Sequence, residues 1–416
     1  MKKTIVDYLT VLFGTGVGRG IAFLNSIIIA RMLGPDDFGR FSIFFVVMVL
    51  TWIFPQAFDS VFVRYAKTAT DQQQKNEFLR VSFFFKLVYS SAALLLAYPI
   101  AFILATFCFR KPEMTMLIVS AIVSGVFQAF LMTIASIYQE KEKFNIFAFL
   151  YASYTASIFV ALLFLRLLSD FFTLQNTIII HVLISVAIGV VSIYLLFKRK
   201  IKHIWPLNSH CLSKSFHLGK WVFWSVVVAT LFVRIDTVFL PRYVSFDLIG
   251  QYGVAVQLTM IISVMTGALS SVFLPKACAA AVSRSTLACY IKESIILVIP
   301  MIIALLVLIV FSSNIIKFLF GSKYLVGYKI SQILLFGWIF NIVFMPFGAL
   351  FYAFDDSRSR FVIDSARLIA AMILLSIFTR TYLLVGAAWS MTTAHLISCV
   401  LGFYFLNSKI KKHKWS

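Results

Sequence analysis

The side chains with the clearest chemical potential in this chain of 416 residues are charges set inside long apolar runs. Arg19 lies about ten residues from either end of one run, too deep to reach an interface easily by stretching. Arg234 and Asp236 lie deep in another, and two residues apart on a helix they point to different faces, so each needs its own partner. An Arg or Asp at the centre of a membrane helix costs about 2.5 to 3.5 kcal/mol to insert, and such residues face a water-filled cavity or a partner. The chemistry on offer is anion binding, because guanidinium presents forked donors and stays charged where a lysine could lose its proton. Asp236 then balances Arg234 or holds a proton or cation. The alternative pairs both with neighbouring helices.

Asp59 closes a second run, where the helix macrodipole disfavours an acid, so a cation is expected beside it. Arg64 or Lys86 can supply that charge, or Asp59 can serve a cavity. Arg64 and Lys86 are also candidate anion contacts on the cytoplasmic side, although Lys86 stands near the start of its run and can snorkel. Asp364 and Arg367, three residues apart, are expected to form a local salt bridge. Asn25, Gln56, Gln128, Gln257, Gln332 and Asn341 are the amides within runs, suited to sugar hydroxyls or to bonding a neighbouring helix.

Other chemistries fail on spacing. His203, His210 and His217 with Cys211 could suggest a metal, but Pro206 interrupts any helix that would align them, and a solvated loop is expected. The five cysteines are scattered without a Cys-x-x-Cys, so no disulfide framework or zinc site is encoded. Gly14-x-Gly16-x-Gly18 follows no strand and reads as close helix packing rather than a nucleotide fingerprint. No Walker motif for ATP occurs. Asp36-Asp37 would suit a membrane glycosyltransferase that holds a metal, yet a loop of about ten residues is too short for such a site, and helix capping before the next run is expected. The expectation is therefore a protein that is not an enzyme, with no cofactor and no metal.

The elements that position these charges follow from composition. Hydrophobic residues make up 61% and charged residues 13%, far from the soluble norm, with 45 Phe that no one or two globular cores could bury. Mean hydropathy is +0.95. About twelve apolar runs are long enough to cross a bilayer as helix. They fall near 9–30, 41–62, 83–107, 115–137, 146–168 and 177–197, then 221–240, 252–275, 295–311, 331–352, 361–378 and 385–406. With the N-terminus inside, the inner segments hold about 23 of the Lys and Arg and the outer loops about 9, so both termini are expected in the cytoplasm. The net charge of +21 is thus a topology signal, and nucleic acid is not an expected partner.

The run pattern divides into an N-terminal six-helix lobe (1–200), a basic cytoplasmic connector (201–220), a C-terminal six-helix lobe (221–406) and a basic tail (407–416). The loop after the first run ends Asp37-Phe38-Gly39-Arg40-Phe41, and the loop after the seventh ends Asp247-Leu248-Ile249-Gly250-Gln251-Tyr252. The hairpins Tyr138 to Phe144 and Tyr352 to Phe361 also correspond. Six crossings return the chain to its starting side, so the repeats are parallel, a geometry suited to alternating access around a central cavity. The fold expected is an all-α membrane protein with about twelve transmembrane helices in two parallel six-helix lobes.

Several segments carry a family resemblance. Ala30-Arg31-Met32-Leu33-Gly34-Pro35-Asp36-Asp37-Phe38-Gly39-Arg40-Phe41 resembles the first-loop signature of Wzx-type O-antigen and polysaccharide flippases, within the multidrug, oligosaccharidyl-lipid and polysaccharide exporter superfamily. Asp59 with Val63-Arg64-Tyr65, Arg234-Ile235-Asp236 and Leu319-Phe320-Gly321-Ser322-Lys323-Tyr324 match in order along the chain. The resemblance implies a flippase of the bacterial inner membrane that moves undecaprenyl-diphosphate-linked oligosaccharide from the cytoplasmic to the periplasmic leaflet. Its partners would be that substrate, membrane lipid, a coupling proton or sodium ion, a polysaccharide polymerase and a chain-length regulator. The alternative is a drug or cation antiporter of the same superfamily, which would want an acidic rather than a cationic lining. A polymerase or ligase would be expected to show a long outer loop, and none is seen. Moving two negative charges outward across an inside-negative 100 mV is favourable by about 4.6 kcal/mol, so the field itself can drive export.

Overall fold

Apolar runs bounded by Gly, Pro and capping side chains form helix, and the computed structural model is helical nearly throughout. It describes residues 2–69, 71–199, 208–280, 283–354 and 356–412, among which there is no strand. The helices are α1 (Lys2–Ile53), α2 (Gln56–Thr68), α3 (Gln72–Leu95), α4 (Ala97–Ile103), α5 (Thr115–Glu140), α6 (Phe144–Leu167), α7 (Leu174–Arg199), α8 (Ser209–Phe239), α9 (Phe246–Ala280), α10 (Arg284–Leu319), α11 (Val326–Ala353) and α12 (Ser357–Lys412). Each expected run falls on helix. The basic connector lies partly outside the described residues, with Lys200, Lys202 and His203, as does Lys414 of the tail.

Two of these elements are too long for one crossing and hold a break. In α1, Gly34 adopts φ 78°, ψ 177°, a conformation a side chain would resist, and Pro35 restarts the helix with its φ preset. In α12 the break falls at Leu383, φ 50°, ψ −124°. Among the described residues nine helical stretches are long and apolar enough to cross a membrane; two of them, Gly16–Lys67 and Arg358–Ile410, contain 52 and 53 residues. About twenty residues suffice for one crossing, so each of those two accommodates a pair. Elsewhere the ends have local causes. Asp71 accepts from Gln74 N at 2.6 Å to start α3, and Ser283 and Thr286 form a reciprocal capping box that starts α10.

The exterior is apolar: Leu95 and Leu167 are each 81% exposed and Phe318 76%, which only lipid makes tolerable. The chain is a multi-pass, all-α membrane protein. It forms two compact units, Met1–Thr230 and Leu231–Ser416. In the first, α1 packs on α5 and α6 and α5 packs on α7; in the second, α11 packs on α9, α10 and α12.

Candidate functional site

In the N-terminal unit, Phe54 and Pro55 interrupt the second run and α2 starts afresh at Gln56. Asp59 therefore stands in the first turn of a helix, where the macrodipole favours a carboxylate, and not in a last turn as the run length suggested. Its cation is Lys86. The ammonium lies 2.5 Å from Asp59 Oδ2 and donates to Ala129 O at 2.9 Å and to Thr133 Oγ1, so all three of its protons are used. Ser82 and Thr133 donate to Asp59 Oδ1 at 3.3 and 3.2 Å. Lys86 is wholly buried, which corrects the expectation that it snorkels: its partners lie on α2 and α5, inside the unit. A contact between Lys86 and a passing anion would require that cluster to open.

Arg19 and Arg64 behave differently. Gly18 is buried against Ala152 of α6, where an added Cβ would approach Ala152 Cα to 3.3 Å, and this close approach turns Arg19 to the exposed side of α1. Gly16 has open space around it, so of these two glycines it is Gly18 that packs closely. Asn25 donates to Thr155 O at 2.9 Å and helps fix the same helix pair. On α2, Tyr65 stacks on Phe78 at 5.0 Å while Arg64 is exposed. Asp36 and Asp37 sit in the turn after the Gly34 break and pair with Arg40 at 3.2 and 3.9 Å, first-turn acids rather than caps. His181, a residue the sequence did not single out, is buried with Nδ1 2.9 Å from Tyr154 Oη between the rings of Phe41 and Phe44.

In the C-terminal unit, Asp236 is buried and accepts from Thr237 N at 2.6 Å and Tyr252 Oη at 2.7 Å. Arg234, two residues earlier, is half-buried on another face of α8, as their spacing requires. Gln251, beside Tyr252, donates to Lys323 O at 2.6 Å and accepts from Gly327 N at 3.2 Å. Gly321, with φ 98°, ends α10 just before that contact. Three of the segments singled out in the sequence thus meet: Arg234 to Asp236, Gly250 to Tyr252 and Gly321 to Tyr324.

The same unit holds a cavity of about 370 Å³ between α11 and the two arms of α12. Arg360, Arg367, His395, Asn341, Phe344 and Tyr352 are among its lining residues. The salt bridge expected between Asp364 and Arg367 is present at 3.2 Å, but Arg360 shares the same carboxylate at 3.0 Å. Sequence reading missed Arg360 and His395; two arginines flanking one acid at i,i+4 and i,i+3 was the available signal. Among the described residues no cluster of His, Cys, Asp and Glu could hold a metal.

Residues 28–328 match the family described as "Polysaccharide biosynthesis protein". The chain belongs to that family. The matched residues include Asp59, Lys86, Arg234 and Asp236, while Arg19 and the Arg360–Arg367 cluster lie outside them. A comparison with curated protein sequences gives no match. Among solved structures, this polysaccharide biosynthesis protein is similar to the lipid II flippase MurJ in an inward closed conformation, at 17% identity and TM-score 0.76, covering 96% of this chain and 87% of that one. It is similar also to an inward-facing multidrug resistance MATE family transporter of the MOP superfamily, at 13% identity and TM-score 0.77, covering 98% and 99%. A third, a MOP superfamily transporter from Pyrococcus furiosus described as having a binding pocket of reverse polarity, aligns at 14% identity and TM-score 0.66 over 97% and 95%. At these identities the likeness establishes the fold, which is that of the MOP transporters.

Proposed function

We propose that this chain is a flippase of the bacterial inner membrane, with both termini cytoplasmic, that carries an undecaprenyl-diphosphate-linked oligosaccharide from the cytoplasmic to the periplasmic leaflet by alternating access. The glycan is an O-antigen or a similar polysaccharide repeat unit. The family match across residues 28–328 carries the reading, because it ties a transporter fold to polysaccharide biosynthesis. Arg19, exposed on α1, and Arg234, half-buried on α8, are the proposed contacts for the diphosphate, with Arg64 a further cation on the substrate's path. Guanidinium suits this task because it remains charged when water is scarce. Asp59 and Asp236 are the acids a coupling proton or sodium ion would have to reach, and each would have to leave its present hydrogen bonds to do so. A polysaccharide polymerase and a chain-length regulator are the proposed partners that take the product.

The test is flipping of a fluorescent polyprenyl-diphosphate oligosaccharide in proteoliposomes under an imposed potential. Flipping that accelerates when the substrate-donor side is negative is expected, and its loss in Arg19→Ala and Arg234→Ala, with insertion intact, is expected as well. Export of a cationic dye in place of the lipid would instead establish the antiporter.

A further inference from the structure

The cavity between α11 and α12 has a chemistry of its own. Among the described residues, two guanidinium groups and one imidazole border it and no acid does. Arg360 and Arg367 divide a single carboxylate, Asp364, and Asp356, a described acid near the start of α12, is engaged with Lys409 at 3.5 Å. Among the described residues one positive charge therefore stands uncompensated in a largely apolar surround, a costly arrangement unless an anion visits. Arg367 Nε is buried with no hydrogen-bond partner, and its bridge to Asp364 is off the hydrogen-bonding direction, which leaves Asp364 Oδ1 unbonded too.

Both guanidiniums are held in place by aromatic faces. Arg367 lies 4.0 Å from the Phe232 ring centre and Arg360 lies 5.6 Å from that of Phe344. His395 meets Phe232 edge-on at 5.1 Å. Gly348 makes room for Arg360 on α11, since an added Cβ there would fall 2.5 Å from Arg360 Nη1. Two fixed forks facing one cavity offer more donors than a carboxylate's two oxygens can use, and the volume leaves room beyond the anion for an apolar or sugar portion.

We propose that this cavity is a binding site for a lipid-borne phosphate ester, held by Arg360 and Arg367 and separate from the Arg19 and Arg234 contacts. Either the diphosphate of a polyprenyl carrier or the headgroup of an anionic phospholipid supplies that chemistry. The site rests on the geometry; only the choice of first probe rests on the flippase reading.

The full chain, in nanodiscs of phosphatidylcholine, is titrated with radiolabelled farnesyl diphosphate, and in a second arm with phosphatidylglycerol as probe and competitor. Saturable binding is expected, weakened at least tenfold by Arg367→Met and by Arg360→Met, weakened less by Arg367→Lys, and retained or tightened by Asp364→Asn. These titrations are made in an Arg19→Ala, Arg234→Ala background, which removes the contacts proposed for translocation and should keep the binding that depends on Arg360 and Arg367. Gly348→Leu, which displaces Arg360 without removing a charge, should also weaken it and serves if an arginine variant fails to fold. Binding of phosphatidylglycerol alone with this same arginine dependence assigns the phospholipid source. If binding vanishes in that background, or survives Arg367→Met there undiminished, or if neither probe binds saturably, the inference falls, while flipping in proteoliposomes would still stand on its own.

Discussion

The two units solve the problem of charge in a membrane in opposite ways. In the N-terminal unit, one ammonium meets one carboxylate and every proton of Lys86 has an acceptor, so the cluster is closed. In the C-terminal unit, two guanidiniums share Asp364, one nitrogen is left over, and a cavity lies against them. The contrast separates charge that holds helices together from charge that waits for a partner. A buried pair that is fully satisfied has little to offer a ligand, because binding one would first have to break it.

The largest effect should come from opening the closed cluster. Lys86→Met leaves Asp59 buried without its cation, and about 3 to 5 kcal/mol of stability should be lost, read as a drop in detergent unfolding temperature. Replacing both, Asp59→Leu with Lys86→Met, should recover most of that loss, since removing a buried pair together is often close to neutral. A Lys86→Met protein as stable as the wild type would mean the pair is not closed at all, and the distinction between the units would vanish.

The next effect sharpens the comparison from within the C-terminal unit. The oxygens of Asp236 accept from Thr237 and Tyr252. Tyr252→Phe removes the 2.7 Å bond and should cost about 1.5 to 3 kcal/mol, the worth of a hydrogen bond to a charged group. By contrast Arg367→Met should cost less than that, because Asp364 keeps Arg360, while phosphate binding is lost. Equal stability loss in both variants would argue that Arg367 is as structural as Tyr252.

How much of this was legible follows from the range of each interaction. Lipid imposes length and hydropathy on every crossing, so the helical runs could be read directly. Pro55 lies inside the second apolar run, and run length alone therefore places Asp59 at the wrong end of a helix. The burial of Lys86 depends on Ala129 and Thr133, 43 and 47 residues away, a register no single-helix pattern carries. Asp364 with Arg367 was legible because i,i+3 pairs are local, yet the cavity beside them needs Gly348 and Phe344 of another helix. Gln251 and Lys323 were each noticed in a separate motif, and only folding shows that they bond.

The smallest effect concerns Asp356, which lies between α11 and α12 and keeps a second acid near the guanidinium pair. Burial alone would raise its carboxyl, but the bonds from Ser359 together with the Lys409 ammonium hold it below the ordinary carboxylate value. A depressed carboxylate stabilises the fold above its unfolded value of about 3.9 and loses that contribution as pH falls through the lower folded value. Asp356→Asn should therefore cost under about 1 kcal/mol at neutral pH, and the gap from wild type should close below about pH 4. Lys409→Ala sharpens the point, because it releases Asp356 one helical turn from Arg360 and lets it neutralise the surplus charge. Farnesyl diphosphate binding should then weaken with little change in unfolding temperature. Unchanged affinity would show that the surplus in this cavity is not set by Asp364 and Asp356, and that the two units differ in packing rather than in charge.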